Sequence, residues 1–131
     1  MHEPSTEADL SDKILTIRGL KVILDFDLAV IYGVETRVLK QSVRRNMEKF
    51  PADFMFSLTQ DEVRSFMDSR SQTVILNQGQ NIKYLPFAFT EHGALMAANV
   101  LRSRRAVEMS VFVIRAFIRM RQAILTRHDE E

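Results

Sequence analysis

The apolar and polar positions near the start of the chain predict a β-hairpin. The run ILTIRGLKVIL, at 14–24, is rich in β-branched residues and is interrupted once, at Arg18-Gly19. A short dipeptide between two such runs is typical of strands joined by a tight turn. The preceding residues, 1–12, are acidic and have no periodicity, so we expect a flexible lead-in there, with structure beginning near Lys13.

After this hairpin the spacing of apolar residues changes to that of helices. Asp25 or Asp27 is expected to cap a first helix, because a carboxylate can accept the free N–H groups of a first turn, and Gly33 is expected to end it. Thr36 is expected to cap a second helix over residues 37–47.

The corner between these helices has the residue types of a helix-turn-helix. Small Ala29 stands where the helices would touch, and Gly33 can adopt the positive φ that the turn requires. Val34 and Leu39 would fix the second helix to the core. Many helical corners that do not bind DNA share this spacing, so the pattern alone does not assign a function.

The middle of the chain predicts further strands and helix starts. FMFSLT at 54–59 is typical of a buried strand, and TQDE at 59–62 of a capping box. The segment TVILNQGQNIKYLPF, at 73–87, alternates around a polar turn and predicts a second hairpin. Thr90 and Ser103 are expected to cap the last two helices.

The last helix, predicted from Arg104 to about Thr126, is apolar over a wide arc. It is therefore either central to the core or half of a dimer interface. We predict a single compact α+β domain at 13–127, with β-hairpins around a helix-turn-helix-like pair, a long C-terminal helix, and an acidic tail at 128–131. The apolar positions on the arc are Val107, Met109, Val111, Val113, Ile114, Phe117, Ile118, Met120, Ile124 and Leu125.

Composition excludes several classes of function. The chain has no cysteine, so a disulfide framework, a thiolate metal site and a cysteine nucleophile are not available. The N-terminus does not resemble a secretory signal, and no apolar run approaches the ~20 residues of a membrane span. We therefore expect a cytoplasmic protein with no membrane partner.

Positive charge is concentrated although the net charge is only +1. Residues 37–49 hold five basic side chains and a single acid. On the second predicted helix one side is formed by Leu39, Val43 and Asn46. The opposite side is basic and polar and consists of Arg37, Lys40, Gln41, Arg44 and Glu48. A basic face of this kind is either solvated or used to contact nucleic acid.

This basic face has the chemistry of major-groove readout. Arginine can pair with guanine O6 and N7, glutamine with adenine N6 and N7, and lysine neutralises phosphate. We predict that the base contacts are Arg37, Gln41 and Arg44. The predicted phosphate contacts are Lys40, Arg45 and Lys49.

Two long blocks of the sequence resemble a known family. YGVETRVLKQSVRRNMEKFPADFMFSLTQDE and KYLPFAFTEHGALMAANVLRSRRAVEMSVFVIRAFIRMR are similar to the phage Orf-six N-terminal domain, a relative of the KilA-N DNA-binding domains, and the likeness spans residues 14–121. Its most specific parts lie at 43–56 and 84–93. The resemblance implies a DNA-binding module of phage and prophage proteins, without enzymatic activity and often followed by a separate C-terminal domain. Lys40 stands where the family pattern has asparagine, so base preference does not transfer.

Two other groups are candidates for DNA contact. The tip of the second predicted hairpin is either a wing that uses Gln78, Gln80 and Lys83 or an ordinary exposed loop. A basic cluster at the start of the last helix either meets phosphate or is solvated, since cations there oppose the helix dipole. This cluster comprises Arg102, Arg104 and Arg105.

No constellation of residues predicts catalysis. His92 beside Glu91 is interpreted as part of a helix start, because no ligand spacing such as HExxH accompanies it. The aromatic residues of KYLPFAF are assigned to core packing in preference to base stacking. We predict no metal, no cofactor, no catalytic residue and no small-molecule substrate.

Two functions of different classes remain. The leading hypothesis is a phage-type or prophage-type transcriptional regulator that binds double-stranded DNA as a homodimer, with the last helix as the candidate interface. The alternative is an antirepressor module that binds a repressor through the C-terminal helix without direct DNA readout. A nuclease is disfavoured because the carboxylates and histidines form no cluster.

Overall fold

The computed structural model describes the backbone of residues 10–70 and 85–130 and the side chains of 10–66 and 85–122. Within these ranges the chain forms one compact domain of five α-helices and a four-stranded antiparallel sheet, which confirms the predicted α+β class. The strands are β1 (Ile14–Ile17), β2 (Leu20–Leu24), β3 (Met55–Ser57) and β4 (Phe87–Phe89). The helices are α1 (Asp25–Tyr32), α2 (Thr36–Arg45), α3 (Gln60–Arg70), α4 (Glu91–Leu101) and α5 (Arg104–Glu130).

The first hairpin is confirmed. β1 and β2 pair antiparallel up to Ile17 opposite Leu20, and only Arg18 and Gly19 lie between them. Both turn residues have positive φ, 58° and 75°, which is the geometry of a type I′ turn. The complete sheet has the order β1-β2-β4-β3.

The two faces of the sheet are covered by different helices. Alternate residues of β2 point to opposite sides, so that Ile23 joins one apolar cluster while Val22 and Leu24 join another. The larger cluster contains residues of α1, α2, α4 and α5. The smaller one contains Val63 of α3. Helix α3 therefore lies across the sheet from the α1–α2 pair.

The corner between α1 and α2 has the predicted geometry. Gly33 ends α1 with φ 75°, and the following N–H, of Val34, donates to the Ala29 carbonyl at 3.0 Å. Ala29 itself is buried in the core, as expected for the small residue at a close helix contact. The Tyr32 hydroxyl donates to the Ala94 carbonyl at 2.8 Å and thereby connects α1 to α4.

The predicted caps of these two helices were wrong. The N-cap residues are Leu24 and Glu35, and neither makes a side-chain cap hydrogen bond. Asp25 and Asp27 already lie in the first turn of α1, and Thr36 is the first residue of α2. Helix α2 also ends two residues early, at Arg45, and a 3-10 turn at Met47–Lys49 follows it.

The other predicted helix starts are confirmed. The Thr59 N–H donates to Glu62 Oε1 at 2.8 Å and the Glu62 N–H to Thr59 Oγ1 at 3.1 Å, which is a capping box. Thr90 accepts from the Gly93 N–H, and Ser103 Oγ accepts from the Ala106 N–H at 3.0 Å.

The ends of the described chain differ from expectation in two respects. Leu10, which lies in the predicted flexible lead-in, is buried in the larger cluster. Helix α5 continues to Glu130, past its predicted end near Thr126.

The predicted second hairpin falls mostly on residues 71–84, outside the described residues. Among the helices that are described, none is long and apolar enough to cross a bilayer.

Candidate nucleic-acid interface

Helix α2 divides into an inner and an outer face as its periodicity predicts. Leu39 and Val43, four residues apart on the inner face, are fully buried in the larger cluster. The opposite face is exposed, which confirms the prediction that this helix presents a basic surface to solvent. We call it the α2 outer face, and it consists of Arg37, Gln41, Arg44 and Arg45.

Lys40 does not lie on the outer face, and its prediction as an exposed phosphate contact was wrong in geometry. The residue is only 9% exposed. Its ammonium donates to the Leu85 carbonyl at 2.8 Å, lies 3.4 Å from Asp25 Oδ2 and sits 4.6 Å from the Phe87 ring centroid. The aliphatic part of a lysine side chain can pack at the edge of the core while its ammonium pairs with an acid. Here that acid is the buried carboxylate of Asp25.

Asp25 is buried beside Lys40 and does not have its predicted role as a helix cap. Its carboxylate is 2% exposed and accepts the Phe87 N–H at 2.9 Å in addition to facing Lys40. Burial raises its pKa above the ordinary range, and the Phe87 N–H and the Lys40 ammonium offset this only in part. One signal was available in the sequence: Asp25 directly follows three apolar residues, 22–24, which favours a position beside the core for this acid.

The Asp25–Lys40 pair connects three parts of the structure. Asp25 begins α1, Lys40 lies in the middle of α2, and both contact the segment Leu85–Phe87 that leads into β4. The pair therefore fixes the rotation of α2 about its own axis relative to the sheet. This rotation decides which side chains of α2 face solvent.

The four side chains of the outer face differ in their surroundings. Arg37 forms an exposed ion pair with Glu35 at 2.6 Å. The Arg44 guanidinium carbon lies 5.4 Å from the Phe87 ring centroid, within the range of a cation–π contact. Gln41 and Arg45 are exposed on the same face, and Lys49 is exposed in the 3-10 turn that follows.

Helix α5 begins against the α1–α2 turn. Arg105 Nε donates to the Ile31 carbonyl at 3.1 Å, and a Cβ placed on Gly33 would lie 2.7 Å from Arg105 Cδ. Arg105 thus supports the turn. Arg102 and Arg104 are exposed beside it, and Arg102 ends α4 in the left-handed conformation, with φ 59°. The predicted basic cluster therefore adjoins the α1–α2 corner through Arg105.

The other candidate residues lie only partly within the described ranges of the chain. Gln78, Gln80 and Lys83 lie outside the described residues, so the wing remains a prediction. His92 stacks on Phe54, with ring centroids 5.5 Å apart, and no metal-binding group of His, Asp and Glu occurs in the described part of the chain. Phe87 and Phe89 are buried, as core packing predicts.

Comparison with known proteins identifies one family. The model of the ORF6N domain matches residues 12–100, about two thirds of the chain, from just before β1 almost to the end of α4. The α1–α2 corner lies wholly inside the match, and α5 lies outside it. No curated protein and no solved structure matches the chain.

Proposed function

The chain belongs to the ORF6N domain family, and on that premise we propose that it binds double-stranded DNA with sequence preference through the α2 outer face. The family is a phage-type regulatory module. We propose further that the protein acts as a non-enzymatic, cytoplasmic transcriptional regulator of phage or prophage type, with α2 as its recognition helix.

One observation carries this proposal: the exposed face of α2 holds three arginines and a glutamine, while its opposite face is buried. Arginine and glutamine are the side chains that pair bidentately with guanine and adenine in the major groove. A recognition helix of a helix-turn-helix presents such residues on its solvent-facing side. Arg37, Gln41 and Arg44 are therefore assigned to bases.

Phosphate contacts are assigned to cations at the margins of this face. Arg45 and Lys49 lie at the C-terminal end of α2 and in the turn after it. Arg102 and Arg104 are exposed and are close in sequence to Arg105, which contacts the α1–α2 turn. Lys40 is removed from this set because its ammonium is engaged below the helix. Four such contacts predict a slope of log K against log salt of about −3.6.

Rigid support of α2 favours sequence readout over a loose electrostatic contact. Leu39 and Val43 hold the inner face in the core, Lys40 and Asp25 fix its rotation, and Arg105 supports the preceding turn. A side chain discriminates between bases only when its backbone is held in place. These contacts supply that condition in the protein without DNA.

Arg44 is expected to contribute more than Arg37 to sequence preference. Arg37 must break its ion pair with Glu35 before it can contact a base, whereas Arg44 lies beside the neutral ring of Phe87. Arg44→Ala should weaken binding to the preferred sequence by about 1–3 kcal/mol and relax preference at one base pair. Arg37→Ala should do the same to a smaller extent, and Arg45→Ala should weaken all sequences alike.

The experiment is selection of bound duplexes from a random pool, followed by fluorescence anisotropy over a salt series with the selected duplex. Arg64→Ala is the matched control, since it removes one exposed arginine from α3, on the other side of the sheet. It should leave affinity unchanged. Failure to enrich any sequence, or equal losses from Arg44→Ala and Arg64→Ala, would contradict the proposal.

A second function is favoured by a separate observation. Val107 and Val111 of α5 are exposed apolar side chains, which suits an antirepressor that binds a repressor protein through its C-terminal helix. In that case Val111→Glu would abolish repressor binding, and Arg44→Ala would have no effect on any activity. The anisotropy series separates the two, because an antirepressor of this kind binds no duplex.

A further inference from the structure

A second apolar stripe runs along α5, separate from the side that packs into the core. The core side consists of Ala106, Met109, Val113, Ala116 and Phe117, all buried. We call the other set the α5 stripe, and it consists of Val107, Val111, Ile114 and Ile118. Val107 is 55% and Val111 46% exposed, and the two isoleucines are partly exposed.

The α5 stripe has the spacing of a helix–helix contact. Its residues follow one another at intervals of four, three and four, which is the heptad pattern of two helices packed side by side. At 1.5 Å per residue the stripe is about 16 Å long. It lies outside the residues that the ORF6N model matches, so the family does not account for it.

We propose that the α5 stripe packs against the same stripe of a second copy of the chain, antiparallel and across a two-fold axis. The axis passes midway along the stripe. Val107 then lies opposite the partner's Ile118, and Val111 opposite the partner's Ile114. Such an interface is isologous, so each contact occurs twice.

Charge complementarity selects the antiparallel orientation. Glu108 and Arg115 are exposed, and each follows a stripe residue by one position, so that both lie along the same side of the stripe. In an antiparallel pair Glu108 faces the partner's Arg115, and Arg115 faces the partner's Glu108. In a parallel pair the positions opposite them are Ser103 and Ser110, and no opposite charges meet.

Arginines mark the two ends of the stripe and limit its size. Arg104 precedes it by one helical turn, and Arg121, which pairs with Glu91, follows it. The antiparallel pair brings Arg104 near the partner's Arg121, whose charge Glu91 offsets. Four layers of side chains make an interface below the standard ~1,600 Å² of stable complexes, so we expect the dimer to form only as the protein concentration rises.

Sedimentation equilibrium of the chain without DNA tests the proposal. The wild type should dimerise with rising concentration. Val111→Glu should place a charge in the apolar contact, and Glu108→Arg should bring two arginines together twice, each raising the dissociation constant at least about tenfold. The double variant Glu108→Arg with Arg115→Glu should restore dimerisation, because residue 108 of each copy and residue 115 of its partner again carry opposite charges.

The matched control is Val30→Glu, which changes an exposed valine of α1 that is 75% exposed. It should leave dimerisation unchanged, and circular dichroism should show that every variant is folded. A wild type that stays monomeric up to about millimolar concentration would overturn the proposal. So would a charge swap without rescue, or equal effects of Val30→Glu and Val111→Glu.

A DNA arm of the experiment rests on the proposed function and separates the two claims. A two-fold dimer should bind an inverted repeat with cooperativity that Val111→Glu removes while half-site binding persists. Arg44→Ala should weaken DNA binding and leave dimerisation intact. Dimerisation without any DNA binding would refute the proposed function and uphold the α5 interface.

Discussion

Two corners of this protein use a glycine of the same conformation in different surroundings. Gly33, between α1 and α2, and Gly19, between β1 and β2, both have φ 75°. A Cβ on Gly33 would lie 2.7 Å from Arg105 Cδ, whereas nothing lies within 4 Å of a Cβ on Gly19. Both positions therefore require the same left-handed backbone conformation, and they differ only in how closely neighbouring atoms pack against them.

The same contrast applies to a pair of oppositely charged side chains near each corner. Asp25 and Lys40 are buried beside α2, and Arg18 and Glu62 form a partly exposed pair between the first hairpin and α3. Burial raises the pKa of Asp25, whereas hydrogen bonding from Arg18 lowers the pKa of Glu62. The α1–α2 corner, which is proposed to meet DNA, is therefore held by buried contacts, whereas the hairpin corner tolerates change.

The largest expected effect is that of Lys40→Met. The substitution keeps the aliphatic stem but leaves the Asp25 carboxylate buried without its cation, which should lower the free energy of unfolding by about 3–5 kcal/mol at neutral pH. Urea denaturation measures the loss. The loss should shrink at acidic pH, because a protonated Asp25 no longer needs a counterion.

Two variants sharpen this result. Asp25→Asn with Lys40→Met removes both charges and should recover most of the stability, since an amide can still accept the Phe87 N–H. Glu62→Gln breaks the hairpin ion pair but leaves Arg18 in contact with water, so its effect should be much smaller. Equal losses from Lys40→Met and Glu62→Gln would show that burial does not distinguish the two corners.

Local signals were sufficient to predict much of this structure. The hairpin turn, the end of α1 at Gly33 and the helix starts at Thr59, Thr90 and Ser103 each depend on a few adjacent residues. The exposed arginines and glutamine of α2 followed from periodicity in the same way.

The inward direction of Lys40 could not be predicted in this way. Lys40 lies near the border between the two sides of α2 on a helical wheel, so its predicted place on the exposed side depends on a small difference in angle. The choice is made by Asp25, fifteen positions earlier in the chain, and by the Leu85 carbonyl, forty-five positions later. Only the tertiary fold brings these groups together, because the pattern of neighbouring residues carries no information about partners so far away in the sequence.

A smaller effect is expected from alanine at the two glycines. Gly19→Ala should cost about 1 kcal/mol, the strain of placing alanine in the left-handed region. Gly33→Ala should cost about 1 kcal/mol more, because Arg105 must move and its hydrogen bond to the Ile31 carbonyl is lost. Thermal or urea unfolding measures both. In an Arg105→Ala background the two substitutions should cost the same, and a difference that persists there would assign the extra cost to another contact.

The smallest expected effect is a difference in pH dependence between the two carboxylates. The raised pKa of Asp25 means that the folded state binds this proton more tightly, so its contribution to stability is complete below the unfolded pKa and is lost as pH rises through the folded pKa. The lowered pKa of Glu62 has the opposite sign. Its contribution is present above the unfolded pKa and is lost as pH falls through the folded pKa.

Unfolding free energies between about pH 3 and pH 7, where unperturbed Asp and Glu titrate, measure these two contributions by difference. The stability of the wild type minus that of Asp25→Asn with Lys40→Met should decrease as pH rises. The wild type minus Glu62→Gln should increase over the same range, because the Arg18 contact stabilises only the ionised carboxylate. Two differences of the same sign would mean that the carboxylate beside α2 is stabilised by Lys40 more than it is penalised by burial, and the two corners would then differ in exposure but not in electrostatics.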